Sequence, residues 1–393
     1  MAFTKTNITK ALLIIFLVVC VFFPGDPYHI KLLAFFLMLL INVNYIIEML
    51  KEKQYYLFYG VIFPIVLIVQ SFLISHNLGA SISGAYPAAL ILILLIVQKH
   101  NIKYDKYLLI TVTGAVILTD MIALLDTMGI VNVNSIWFMQ TAFYDYGMGL
   151  MGKSPTYSFY YKIFLKSSPL ILLVVNESIK NKKKIIAILA VIAMFISGTR
   201  ANAFLCSILV IYILGFNYDF KKIKKKKVII TLVFLLGLLL LLPFIQDYVD
   251  SIMSTKGAVA SDKVRDGQLQ SFFEIYSDPF NLLFGTGLGS SFYNYGTNSY
   301  TESAEMSYFE LIRQIGLPMF IIFMLFILKP LKSNIDKTDA FAYICYLAIA
   351  FTNPLLFSST AYLLYIFVYY REVNHENQCF NENESKPLIE VNQ

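Results

Sequence analysis

Two lysine clusters set the strongest constraint on this chain. Lys182, Lys183 and Lys184 stand at one end of a stretch, and Lys221, Lys222 and Lys224 to Lys227 at the other. Between them lie two apolar runs, Ile185 to Ile196 and Ala201 to Phe216, separated only by Ser197-Gly198-Thr199-Arg200. Loops this rich in lysine stay on the cytoplasmic side of a bilayer. The apolar chain between them must therefore cross outward and return. At about 1.5 Å per residue each arm is only just long enough, which predicts a helical hairpin with Arg200 near its outer end. An arginine at such a break is costly unless it faces water or a partner, so Arg200 is the first candidate for a functional residue.

Composition agrees with that reading. The chain is 58% hydrophobic and only 14% charged, with a mean hydropathy of +0.67, whereas soluble domains average about 25% charged residues. This predicts an all-α, polytopic integral membrane protein whose first partners are lipids. A net charge of +6 would suit nucleic acid if it were spread over a surface. Here the lysines sit between apolar runs, as topology signals do, and no nucleic-acid partner is predicted. Leu12 to Phe23 follows Lys5 and Lys10 without a small-residue cleavage site and reads as a first anchor. Cys20, Cys206, Cys345 and Cys379 are scattered and predict no disulfide. The four histidines have no ligand spacing, so neither a metal nor a cofactor is predicted, unless acids from distant positions assemble a site.

Apolar runs fall at 10–23, 29–50, 55–76, 86–98, 107–125, 161–176, 185–197, 201–218, 228–245, 307–328, 340–354 and 360–370. That is about twelve transmembrane helices, several shorter than the roughly 20 residues of a full span and so tilted or only partly inserted. Residues 1–245 hold nine of them, with an outer loop at 126–160, and 307–371 hold three. Between these lies a large outer loop, 246–306, long enough to contain helices of its own. The polar segment 372–393 reads as a disordered cytoplasmic tail. With the N-terminus inside, 22 of the 31 basic residues fall on inner loops, which places both termini in the cytoplasm. The aromatics of 126–160, Trp137 among them, suit either an interfacial belt or a lid facing sugar or lipid.

The outer side collects the polar groups that could carry chemistry. Arg200 and Arg265 offer planar forks of donors matched to phosphate. Arg265 lies in a run with Asp262, Lys263 and Asp266, where an ion pair with either acid is the plainer reading. Gly285, Gly287 and Gly289 form a turn that lacks the lysine and hydroxyl of a P-loop, although its backbone N–H groups could face an anion. Glu302 and Glu305 are three apart, a helical spacing, and either cap the following helix or act chemically. Glu305 stands closest to the membrane entry, where partial burial would raise its pKa and suit it to accept a proton from a hydroxyl. Arg313 is a reserve candidate, and Asn353-Pro354 marks another break in apolar chain.

Taken together, these residues bring a family into view. Ile196-Ser197-Gly198-Thr199-Arg200-Ala201 resembles the S-x-(S/T)-R break of the O-antigen polymerase and ligase superfamily. Gly285-x-Gly287-x-Gly289 is similar to that family's glycine turn. Glu305-Met306-Ser307-Tyr308-Phe309, with Gly316 following, resembles its helix entry, and Asn353-Pro354 its late break. The similarity extends over most of the chain. It implies a GT-C-like membrane glycosyltransferase working without a metal at the periplasmic face of the bacterial inner membrane. A polymerase of this kind (Wzy-type) moves a growing glycan from undecaprenyl diphosphate onto the non-reducing end of the next lipid-linked repeat, and a chain-length regulator is an implied partner. Ligases, which transfer finished glycan to lipid A–core, usually carry histidine where this chain has Glu305, so the resemblance favours the polymerase. Arg200 and Arg265 would then bind diphosphate, with Glu305 as base or orienting group. Arg313, Glu302, Gly287 and Asn353 complete the implied site. A flippase or transporter is the reading from another class; broken helices favour it, while the scarcity of ionisable groups in the apolar runs, Glu48 and Asp120 aside, argues against it.

Overall fold

The computed structural model describes residues 4–26, 28–135, 147–153, 161–216, 256–333 and 335–384. The predicted span 228–245, the second lysine cluster and most of the 126–160 loop fall outside these residues. Helices dominate. α1 (Lys5–Phe22), α2 (Ile30–Glu52), α3 (Gln54–Ser75) and, after a bent pair, α6 (Tyr104–Thr127) are long and apolar enough to cross a bilayer. The pair is α4 (Leu78–Ala89) and α5 (Leu92–Lys99), which meet at 41° and add a fifth candidate span if counted as one. Pro87 sits just before that bend and has no N–H to continue the helix. In α3, Pro64 follows a single π-turn at Phe58–Ile62, which absorbs the hydrogen bond the proline lacks.

The surfaces of these helices are those of a membrane protein. α2 exposes Leu33, Phe36, Leu40, Val43 and Ile47, a stripe at helical spacing, and α6 exposes Ile110, Ile117, Met121 and Leu124. Contiguous apolar faces of this extent are not left to water.

Polar contacts collect at the two ends of the helices. At one end His100 lies 2.9 Å from Thr6 and 2.7 Å from Asn42, and Arg371 reaches Asp105 at 3.0 Å. At the other, the Ser167 hydroxyl donates to the Val21 carbonyl and the Leu288 N–H to Ser71. Successive long helices thus alternate in direction.

The predicted hairpin forms as α8 (Lys184–Ile196) and α9 (Arg200–Phe216). α7 (Ile171–Lys180) precedes it, and α14 (Lys337–Ile349) and α15 (Ser359–Glu384) close the described chain. Three expectations are corrected. First, the mostly helical fold carries two short hairpins that the apolar runs did not predict: β1 (Gly149–Lys153) pairs with β2 (Tyr161–Leu165), and β3 (Phe292–Asn294) with β4 (Ser299–Thr301), both antiparallel. The run 161–176 therefore opens as a strand. Apart from the exposed Lys162, β2 is buried on both faces, and its apolar residues run on into Leu170 and α7, so the pattern did not separate it from the start of a helix. Second, the predicted span 307–328 is two helices, α12 (Ser307–Ile315) and α13 (Leu317–Leu328). Gly316 separates them at φ 78°, and a Cβ there would lie 2.2 Å from the Leu283 carbonyl oxygen. Third, the segment expected to be disordered from Glu372 continues α15 to Glu384, a stretch with no glycine or proline to stop it.

Candidate functional site

Within the segment predicted as the large outer loop, α10 (Lys256–Tyr276) and α11 (Pro279–Phe284) form a small module with its own core. Phe272 is fully buried and stacks on Phe292 at 5.7 Å and Phe309 at 5.9 Å. Asp278 caps α11, accepting from the Phe280 N–H at 3.0 Å, with Pro279 in the first turn where its missing N–H costs nothing. Arg265, Gln268 and Phe272 share a helical face through their spacing of three and seven residues. Phe272 is anchored against the chain that leads into α12, so Arg265, two turns away, is carried over that chain. The Ala304 and Met306 side chains are buried in the same core, and Glu305 between them turns outward. The outcome is an ion pair: Arg265 Nη2 lies 3.2 Å from Glu305 Oε2, with the side chains 28% and 47% exposed. Glu305, forty residues away, is thus an acid partner of Arg265 that the sequence did not point to; the Asp262 side chain lies outside the described residues.

Glu305 is thus half-exposed and paired, and the deeply buried acid of this region is a different one. Glu310, in the first turn of α12, is 7% exposed and Arg313 is fully buried. The guanidinium takes both carboxylate oxygens, Nε to Oε2 at 3.0 Å and Nη2 to Oε1 at 2.7 Å. Its remaining donors go to the Thr286 hydroxyl at 2.9 Å, the Ser290 hydroxyl at 2.8 Å and the Glu302 carbonyl at 3.3 Å. The Phe292 ring lies 4.4 Å from its central carbon. An arginine has five N–H donors, and all five are spent within the protein. That takes Arg313 out of the substrate-binding set and makes it the clamp between α12 and the glycine turn.

The turn itself is equally committed. The Thr286 and Gly287 N–H groups donate to the carbonyls of Arg313 and Gln314, and Leu288 to the Ser71 hydroxyl at 2.7 Å. Gly287 therefore has no N–H to offer an anion. It is where the module plugs onto the end of α3, a contact completed by Gln70, whose amide donates to the Phe284 and Ile315 carbonyls.

Glu302 and Glu305 precede α12 rather than forming its first turn, because the helix begins at Ser307 with Met306 in the cap position. They are not on a common helical face. Glu302 is exposed and contributes its carbonyl to Arg313. Asn353 caps the end of α14, donating to the Ile349 carbonyl at 3.1 Å. Its own carbonyl accepts from the Ser307 hydroxyl, and the Leu355 N–H donates to the same oxygen of Ser307 at 2.9 Å. The late break and the helix entry beside Glu305 are thereby tied together.

Arg200 belongs to a second group. It opens α9 two residues after Gly198, whose φ is 66° and whose missing Cβ would lie 2.7 Å from the Tyr161 carbonyl oxygen of β2. The break is braced from within: Asn202 donates to the Ser197 hydroxyl at 2.9 Å, which donates to the Met194 carbonyl. Tyr161 in turn donates to Asp126 Oδ2 at 2.8 Å, and Lys153 reaches the same oxygen at 2.9 Å. The hydrogen bond to that carboxylate raises the Lys153 ammonium above the ordinary lysine value. Arg200 is thus mounted on a rigid support made by α6, β1 and β2.

Sequence reasoning missed Glu310 and Asp126 as organising residues. An acid three residues before an arginine at a helix start was a usable signal for the first; Asp126 carried none. Among the described residues no group of three His, Cys, Asp or Glu side chains is placed to hold a metal. No protein-family model matches the chain, and no curated protein matches it.

Proposed function

We propose that this protein is a membrane polymerase of lipid-linked oligosaccharide repeats, of the Wzy type, with the Arg265–Glu305 pair at its centre. That ion pair is the observation that carries the reading. A half-exposed pair contributes only about 0–1 kcal/mol, so it opens readily. The diphosphate of a lipid-linked donor competes for the arginine fork with more charge and better geometry than a single carboxylate. Once displaced, Glu305 is free to accept the proton of the acceptor hydroxyl as that oxygen attacks the anomeric carbon. The sugar–phosphate bond breaks and the charge on the departing diphosphate rests on Arg265, with Arg200 as the second cation.

In this reading the end of the bundle bearing Arg265 and Glu305 faces the periplasm, both termini are cytoplasmic, and about twelve inserted segments form a GT-C-like enclosure. Residues 161–176 are only partly inserted and enter through β2. Undecaprenyl-diphosphate-linked repeats are the substrate, and a chain-length regulator is a partner. The ligase remains the second reading within the same chemistry; glutamate rather than histidine at 305 favours the polymerase. The flippase reading has no comparable cluster to rest on among the described residues.

The test is a glycan profile of cells carrying Arg265→Ala, Glu305→Gln or Arg200→Ala. Loss of long chains with single repeats retained on the lipid carrier is expected for each. Normal chain lengths in all three would overturn the assignment, and long lipid-linked polymer that never reaches the core would identify a ligase.

A further inference from the structure

The β3–β4 hairpin has two unlike faces. Phe292 and Asn294 turn inward, 6% and 1% exposed, and Phe292 joins the module core beneath Arg313. Tyr293 projects from the opposite face by the alternation of a strand, and Tyr295, two residues on at the strand end, continues that side. Tyr300 is the cross-strand partner of Tyr293 and joins them. The three side chains stand 40%, 36% and 75% exposed for Tyr293, Tyr295 and Tyr300. Their rings touch edge to face, Tyr293 to Tyr295 at 5.1 Å and Tyr293 to Tyr300 at 5.5 Å. Glu274 of α10 borders the group, its carboxylate accepting from the Tyr295 hydroxyl at 2.6 Å.

This is a surface with a definite chemistry. A pyranose ring has an apolar C–H face and a rim of hydroxyls. An aromatic ring matches the first, and phenol and carboxylate groups match the second. A membrane surface calls instead for aliphatic or tryptophan side chains with a basic rim, and the rim here is Glu274 with Thr297, Asn298 and Ser299 at the hairpin tip. β4 ends at Thr301, so the platform runs directly into the segment that carries Glu302 and Glu305.

We propose that Tyr293, Tyr295 and Tyr300, with Glu274, form a glycan subsite that holds a sugar of the repeat unit while its reactive end lies at Glu305. The polymerase reading supplies the ligand, the cell's own surface glycan; the platform supplies stacking and hydroxyl acceptors to it.

The experiment is titration of purified full-length protein in nanodiscs with water-soluble, phosphate-free polysaccharide released by mild acid from the producing cells. Tyr300→Ala, Tyr293→Ala and Glu274→Gln are each expected to weaken binding about tenfold, the scale of an interface hot spot. All three positions are exposed, so folding is retained. Lys332→Ala, at an exposed position beyond the end of α13, should leave the affinity for this phosphate-free probe unchanged within about twofold. Unaltered affinity in both tyrosine variants would overturn the subsite. So would strong quenching by doxyl lipids of a bimane attached through Tyr300→Cys in a chain with its four native cysteines replaced, because the hairpin would then lie in the membrane. If the tyrosine variants lose glycan while Arg265→Ala and Glu305→Gln cells still make normal chains, the subsite stands and the polymerase reading falls.

Discussion

Replacing Arg313 with alanine is the sharpest perturbation of the fold around the site. The side chain is fully buried against a carboxylate only 9% exposed, joined by two bonds of 3.0 and 2.7 Å. Its other donors hold Thr286, Ser290 and the Glu302 carbonyl. Removing one partner of a buried pair leaves the other charge without compensation, at a cost of about 3–5 kcal/mol. At about 2.1 cal/mol/K of unfolding entropy per residue, a chain of 393 residues shifts by little more than about 1 °C per kcal/mol, so the melting temperature falls by roughly 5 °C. Thermal unfolding of the detergent-solubilised protein measures it. Arg313→Lys is expected to melt nearly as low, since a single ammonium cannot reach both the carboxylate and two hydroxyls. Arg313→Met combined with Glu310→Leu should recover a substantial part of the loss, because no orphan charge remains. If Arg313→Ala melts within about 2 °C of the native chain and only polymerisation suffers, Arg313 is a substrate ligand and the clamp is wrong.

Other outcomes follow from the same geometry. Gly198→Ala forces a Cβ to within 2.7 Å of the Tyr161 carbonyl oxygen at a positive φ. It should destabilise by about 1–3 kcal/mol and reduce polymerisation through Arg200, measured by melting and chain-length profile. Asp336 caps α14, bonding Thr338 and lying 3.2 Å from Lys180. Burial alone would raise its pKa, but the Thr338 hydrogen bonds and the Lys180 charge outweigh it and hold the carboxyl at about 2, below the ordinary 3.8. A depressed carboxyl stabilises above its unfolded pKa, and the gain fades as pH falls from about 4 to about 2. Asp336→Asn should therefore lower the melting temperature at pH 7, with the difference disappearing near pH 2. Cys20, Cys206 and Cys345 are free and buried, so a thiol reagent should label them only after denaturation.

Much of the helical architecture was legible because a bilayer imposes a crude rule. Lysine-bounded apolar runs gave α1, α2, α3, α6, α8 and α9 to within a few residues, and Ser197 to Arg200 gave the break. What failed did so for local reasons. Tyr161 to Leu165 has a single polar position, Lys162, and runs on into the apolar chain of α7, so its strand carried too little alternation to read. Gly316 ends α12 because the Leu283 carbonyl passes beside it, a contact from outside the window of any helix pattern. At the site, Arg265 and Glu305 were singled out separately, and their pairing depends on Phe272 setting the register of α10. Arg313 resembled a ligand in sequence because burial is invisible there. The outward tyrosines of the β3–β4 hairpin were hidden for the opposite reason, since so aromatic a chain gives no sign of which rings face water.

Elongation by purified protein decides the central claim. Given only a lipid-diphosphate-linked oligosaccharide repeat, with no nucleotide sugar and no ion gradient, the native chain should build a ladder of longer lipid-linked glycans. Arg265→Ala and Glu305→Gln should leave the single repeat untouched. An unchanged repeat with the native protein, or an undiminished ladder with both variants, contradicts the account.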